Sequence, residues 1–300
     1  LVWQADNGTN KYIHYSKCSN LSSYNLATSW GQVDGQTSPR YDTINSVSGS
    51  SYYLYAPDIV VDSQGYPHAV WYYQYSSTQE VRYRTSRNGS GDPKDWDATY
   101  RIVAEDNDES GWTTLYYPVS IDVNSGDTVY VTWPMRENVG TYNYNYGIRI
   151  GWCGPANNWA TWSTANRTTP ILTLSDNVYE STVVIDSDNK IYVAGKGDTY
   201  RDVYWAYYNG STWSTSNNLT YDAFDAESVV LGARMGSGVG GHILMAKVYG
   251  ASSNKKIVYW DVKYFGQQGN LWRLPEYDYT RLKRENFMTC ASLIHREVWE

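Results

Sequence analysis

The sequence predicts an all-β protein, a β-propeller of four-stranded antiparallel blades, on three observations. Short apolar runs alternate at the strand period of two and are closed by turn residues. The same four-strand pattern recurs about every 60 residues, shortening to about 47 between Glu180 and Glu227. Aromatic content is 16%, carried by 31 Tyr and 14 Trp against 3 Phe, rings with a polar handle that suit wet-edged strands. Radial repetition of four-stranded sheets accounts for all three.

The clearest unit runs from Tyr55 to Ser86. Its first strand, Asp58–Asp62, ends at Ser63-Gln64-Gly65, which is turn chemistry. The second is His68–Tyr73. In the third, Val81 and Tyr83 alternate with Glu80, Arg82 and Arg84. First strands recur at Pro118, Glu180 and Glu227, and second strands at Leu1, Ala69, Tyr130, Ile191 and His242. A tryptophan is expected to introduce each fourth strand: Trp30, Trp96, Trp159 or Trp162, Trp213 and Trp272.

One domain over residues 1–300 follows, with repeats at about 1–54, 55–115, 116–178, 179–224 and 225–288. Five blades are expected, or six or seven if the chain is a piece of a larger ring. The chain opens on a second strand, so blade one wants an inner strand. Ser292-Leu293-Ile294, within a closing strand at about 289–298, has the apolar character to supply it.

Net charge is −7 with no Lys/Arg cluster, which argues against nucleic acid. No apolar run reaches membrane-spanning length. Cys18, Cys153 and Cys290 are an odd number without CxxC spacing, and the four histidines are scattered, so no zinc motif forms. Six N-x-[ST] sequons, at Asn7, Asn20, Asn88, Asn166, Asn209 and Asn218, fit an extracellular or cell-surface glycoprotein. They also arise by chance in an Asn/Ser/Thr-rich chain. No cofactor is expected. The acidic stretch Glu105–Glu109 offers oxygen ligands for Ca²⁺ but lacks EF-hand spacing, so it reads as a solvated loop.

Propeller geometry places function on the face where inner strands begin. Tyr55 and Asp58, Tyr117, Tyr179 and Glu180, and Glu227 fall there. Loops between second and third strands are expected to join them, bringing Arg136, Tyr142, Tyr144, Tyr146 and Arg201. Stacking rings beside Asn, Asp and Arg match a sugar's apolar face and polar rim. These residues are the candidate ligand-binding set, with Asp58, Glu180 and Glu227 as candidate catalytic acids.

The pattern P-x-I-x-x-D-x-x-G-x-x-H-x-x-W, followed by x-x-Y-x-x-S, a loop and a Trp, resembles the sialidase-like, BNR-repeat propellers. Thr85–Trp96 and Tyr208–Trp213 are degenerate relatives of that family's Asp-box turn. Sialidase catalysis would require an arginine triad, and the arginines here do not fall at equivalent blade positions. The stretch LYAPDIVVD also resembles the W-A-P-D motif of five-bladed arabinanase-type glycoside hydrolases, with Asp58 at the matching acid. That resemblance implies acids at the openings of several blades, met by Glu180 and Glu227. Blade three instead opens with Tyr116-Tyr117-Pro118.

The segment from Lys256 is similar to the acceptor side of inverting family-2 glycosyltransferases. Tyr277, Asp278, Leu282, Asn286, Phe287, Ser292, Leu293, Arg296, Glu297, Trp299 and Glu300 carry the match. The nucleotide-binding half of that family, which carries its D-x-D metal site, has no counterpart in this sequence.

Three functional readings remain open: a glycan-binding propeller, a glycoside hydrolase or polysaccharide lyase acting at the channel mouth, and a structural or adhesive repeat without a small ligand. The first predicts shallow aromatic sites between blades. The second predicts a carboxylate pair with perturbed ionisation.

Overall fold

The computed structural model describes residues 1–18, 30–31, 41–86, 96–106, 114–115, 117–140, 143–163, 170–174, 178–186, 188–197, 203–214, 217–218, 226–234, 242–249, 256–261, 272–273 and 277–278. Among these the chain is all β, apart from one 3₁₀ turn at Pro155–Asn157. Every strand pairing is antiparallel, and consecutive strands form successive blades.

Blade one contains β1 (Val2–Asp6), β2 (Asn10–Tyr15) and β5 (Asp42–Ser48) in that order, with a small ladder of β3 (Lys17–Cys18) on β4 (Trp30–Gly31). Blade two is β6 (Tyr52–Val61), β7 (Pro67–Tyr75), β8 (Thr78–Thr85) and β9 (Arg101–Asp106). In blade three the inner strand is split into β10 (Thr114–Leu115) and β11 (Ser120–Val123), both paired with β12 (Val129–Gly140). Then come β13 (Asn143–Cys153) and β14 (Leu172–Leu174). Blade four is β15 (Val178–Ile185), β16 (Ile191–Gly197), β17 (Val203–Tyr208) and β18 (Asn217–Asn218). Blade five is β19 (Ala226–Arg234), β20 (His242–Tyr249) and β21 (Lys256–Asp261), with β22 (Trp272–Arg273) and β23 (Tyr277–Asp278) both on β21.

Blade one has no described strand inside β1, as the sequence predicts. β1 therefore lies beside β6, β6 beside β11, β11 beside β15 and β15 beside β19. The proposed closing strand at 289–298 lies outside the described residues. So does the part of the transferase-like segment beyond Asp278, while its first two matched residues, Tyr277 and Asp278, form an outer rung of blade five.

The seams between blades hold the core. Ile13, Ile44, Leu54 and Trp71 fill the first seam. Val70, Tyr83, Val131 and Trp133 fill the second, and Ile148, Ile185 and Val193 the third. Trp71 and Trp133 occupy the same register position on the second strands of blades two and three, and both are fully buried. Truncating such a side chain costs about 3–5 kcal/mol. Blade four carries Gly195 there. A Cβ at Gly195 would come within 2.3 Å of Ile148 Cδ1 and 2.7 Å of the Glu180 carbonyl oxygen, so blade three supplies the filling side chain.

Two sequence expectations need correction. In four of the five blades the expected tryptophan does not open the fourth strand. Blade one's outer strand is β5, and β9 and β14 start at Arg101 and Leu172, well after Trp96 and Trp162. Trp96 packs edge-on against Tyr15, Trp159 Nε1 donates to the Asp127 carbonyl at 3.0 Å, and Trp162 meets Tyr83 edge-on. Their large surfaces are buried in seams before the outer strand begins. Trp213 makes only an isolated bridge with Tyr208, whereas Trp272 does open β22. The arginines, moreover, do share blade positions. Arg82 lies opposite Trp71 and Arg149 opposite Trp133, both on third strands and both buried, two strands out from the inner strands.

Candidate functional site

The inner strands of blades two, three and four each have two unlike ends. At the end leading to the second strand, an acidic or amide side chain folds the turn. Asp62 Oδ1 accepts the N–H groups of Gln64 and Tyr66, both at 2.9 Å. Asn124 Oδ1 accepts those of Gly126 and Thr128, and Asp186 Oδ1 those of Asp188 and Lys190. These are Asx turns, which the side chain closes without help from the rest of the fold. Left-handed residues follow at Gly65 (φ 87°), Asp127 (φ 58°) and Asn189 (φ 60°). The turns then bond to one another. Ser63 donates its N–H and hydroxyl to the Asp127 carboxylate, both at 2.9 Å, and Ser125 donates likewise to Asn189 Oδ1 at 3.0 and 2.9 Å.

The opposite end is broken in every blade that has a described inner strand. β6 skips register between Tyr55 and Asp58, with Ala56 left-handed at φ 47°. Blade three breaks between Leu115 and Ser120, around a cis Tyr117-Pro118 peptide. β15 skips between Val178 and Glu180, and β19 between Ala226 and Ser228. Bulges of this kind turn a side chain away from the ladder and gather beside functional sites. They bring Tyr55, Tyr117, Tyr179 and Glu227 to one level of the inner strands.

At the blade two–three seam this level carries a layer of rings. Tyr55 stacks on Tyr117 with centroids 4.9 Å apart and an interplanar angle of 24°. Tyr53 stacks on Tyr55 at 5.5 Å and 17°, and Tyr72 lies 5.2 Å from Tyr117. Tyr117 is 47% exposed and Tyr53 37%, so the layer presents faces to solvent. Tyr53 and Tyr72 were not singled out from sequence. The Tyr-Tyr-Leu-Tyr alternation at 52–55 is the signal that places Tyr53 on the face of Tyr55.

The predicted acids sit differently. Asp58 turns into the seam: Oδ2 accepts the Ser120 hydroxyl at 3.1 Å and the Ile121 N–H at 3.0 Å, and Oδ1 accepts its own Ile59 N–H at 2.8 Å. Burial pushes its pKa up, and those three donors oppose the rise. Glu180 is ion-paired with Lys196 Nζ at 3.0 Å across β15 and β16, both side chains 14% exposed. Glu227 is placed by register at the β19 bulge.

Asp122, one blade beyond Asp58, went unnoticed in the sequence. Its Oδ2 accepts the Ile185 N–H at 2.7 Å, and Oδ1 accepts the Val123 N–H at 2.8 Å. Burial and then the nearby Asp58 charge push it up to about 6, against the pull of the two backbone donors. An acid inside the otherwise strand-like Pro118–Val123 run is the only sequence signal for it.

The loop expected at 136–146 is instead a long hairpin: β12 and β13 stay paired from Val129↔Cys153 to Gly140↔Asn143. The reason is legible in Tyr142-Asn-Tyr-Asn-Tyr146, which alternates at the strand period. Arg136 lies opposite Tyr146, and Asn138 opposite Tyr144. Tyr142 and Arg201 lie outside the described residues, as do Asn107–Glu109 of the acidic stretch.

Fold and site together define a β-propeller whose inner strands open on an aromatic, bulged rim. Solved structures with a similar course include an exo-1,5-α-L-arabinanase from a bovine ruminal metagenomic library (TM-score 0.46, 9% identity, covering 92% of this chain and 96% of that one). A second is the polysaccharide lyase Uly1 (TM-score 0.49, 11% identity, 86% of this chain and 54% of the lyase). A third is a Hadza microbial sialidase (TM-score 0.43, 10% identity, 69% of this chain). This chain spans 44% of that sialidase's length. No protein-family model matches the sequence, and no curated protein matches it.

Proposed function

We propose that this chain is an extracellular or cell-surface carbohydrate-binding propeller that lays a glycan across the tyrosine layer at the blade two–three rim. The observation that carries this reading is the Tyr53–Tyr55–Tyr117 stack, preformed and exposed on two of its members. Rigid rings bind the apolar face of a sugar with little ordering cost. Exposed sequons at Asn7 and Asn209, each in an Asx turn, support an extracellular setting. The test is titration calorimetry with the tightest ligand found on a glycan array. Tyr53→Ala and Tyr117→Ala are expected to weaken binding at least about tenfold, or about 1.4 kcal/mol, with Tm changed by no more than about 2 °C. Unchanged affinity in both variants would sink the proposal.

Hydrolysis or lyase action is the second reading. One observation favours it: a carboxyl near pH 6 beside a second buried acid, an arrangement suited to a general acid. Reducing-sugar and unsaturated-uronate assays on arabinan, xylan, ulvan and sialylated substrates separate the two readings. Turnover lost in Asp58→Asn, Asp122→Asn would establish an enzyme. No turnover in the unmodified chain leaves binding as the function.

A further inference from the structure

A cleft lies away from the tyrosine rim, on the outer edge between blades one and two, and its volume is about 260 Å³. One wall is β5, contributing Thr43, Asn45 and Ser46. The other is the segment entering β9, contributing Thr99 and Tyr100, and Arg84 lies between them. Its shape follows from a bulge. β2 and β5 pair as Ile13↔Asn45 and His14↔Thr43, so Ile44 drops out of the ladder. Its side chain goes to the core, and its freed carbonyl accepts from Arg84 Nη1. Arg84 Nε donates to the Asp97 carbonyl, which ties the second wall to the same guanidinium.

Two features inside the cleft point to a ligand. Asn45 Nδ2 is buried and has no hydrogen-bond partner among the described residues, and a buried amide donor left unpaired costs about 1–3 kcal/mol. Tyr100 is 38% exposed, and its ring is held by the Arg82 guanidinium 3.9 Å from its centroid. That guanidinium lies 3.3 Å from the Tyr73 centroid as well. The wall is therefore a fixed aromatic surface beside an unsatisfied donor and several hydroxyls. Charge is balanced nearby. Asp97 pairs with Arg101, and the charges of Asp97 and Asp42 both act on Arg84, so two carboxylates face two guanidiniums and the site carries no surplus cation for an acidic group.

We propose that this cleft is a second binding site, for a single neutral pyranose or furanose unit, with Tyr100 as its stacking wall and Asn45 as a donor to a ring or hydroxyl oxygen. The volume admits one sugar ring and not a chain. The site is independent of the tyrosine rim, and its test is arranged to show that.

Saturation-transfer NMR and fluorescence titration use the methyl glycosides of glucose, galactose, mannose, xylose and arabinose, with methyl glucuronide as the acidic comparison. At least one neutral glycoside is expected to bind the unmodified protein. That binding should weaken at least about tenfold in Asn45→Ala and in Tyr100→Ala, and remain in Tyr117→Ala. Thr99→Trp, a change at an exposed position, should abolish it by filling the cleft without removing any contact of the fold. No neutral glycoside bound, binding that survives Thr99→Trp, or binding of the glucuronide alone would each overturn the proposal. Loss only in Tyr117→Ala would assign all sugar binding to the rim and overturn it too.

Discussion

The two ends of the inner strands obey different rules. At the turn end, blades two, three and four repeat one device: Asp62, Asn124 and Asp186 each close an Asx turn on two N–H groups. At the rim end blades two, four and five each carry one extra residue on the inner strand, whereas blade three splits the strand, and the breaks hold Tyr55, Tyr117, Tyr179 and Glu227. Where the chain only has to hold together, it repeats. At the rim it departs from the shared bulge in blade three, which presents the most exposed ring of the layer, Tyr117.

The largest effect expected from breaking this contrast is at the turn. Asp62→Ala removes the acceptor of two N–H groups and the partner of His68 Nε2 at 3.3 Å, all in a buried corner. A loss of about 3 kcal/mol in urea unfolding is expected, with glycan affinity at the rim unchanged.

Next is a difference in pH response. Burial works to raise Asp62, but the His68 bond and the Tyr66 and Gln64 N–H groups outweigh it and hold it at about 2. Its stabilisation is present above the unfolded value of about 3.9 and is lost as pH falls through about 2. Asp122 runs the other way. With a folded pKa of about 6 it binds its proton more tightly in the native state, so stability falls as pH rises from about 4 through about 6. The decline should be about 2 kcal/mol, allowing for the partial exposure of this half-buried group. Chemical denaturation across pH 3–8 should show that slope flattened in Asp122→Asn and retained in Asp62→Asn. A slope unchanged by Asp122→Asn would mean that the carboxyl titrates normally.

The smallest effect tests whether the turn-to-turn bonds matter as much as the turns. Asn189→Gly removes the acceptor of Ser125 but relieves a left-handed side chain, so a net change within about 0.5 kcal/mol is expected. Gly65 already occupies that position in blade two. Asn189→Ala keeps the strain and loses the bonds, and calorimetry should find it the less stable of the two.

Strand order and period were legible because burying one face of every strand forces alternation, and alternation survives in the sequence of β7, β8 and β16. The outer strands were not, since β14, β18 and β22 are two or three residues long and Trp159 and Trp162, ahead of β14, are spent in the seam. Sequence placed Asp58 on the correct strand but not its carboxylate. Whether an inner-strand acid faces the channel or the next blade depends on the donor offered across the seam, here Ser120 and Ile121, 62 and 63 residues away. Glu180 was likewise located without its partner, because Lys196 becomes a neighbour only through cross-strand register.

The seam bonds run in opposite senses at two levels. Asp58 receives from Ile121, Ser120 receives from Val183, Asp122 receives from Ile185, and Ser63 and Ser125 give to Asp127 and Asn189. Every link joins an earlier blade to the one that follows it in the chain. At the inner-strand level the earlier blade accepts from the later one, and at the turn level it donates to it. The two faces of a blade are thus unlike and complementary, so blades join head to tail and a face finds no partner in its own copy.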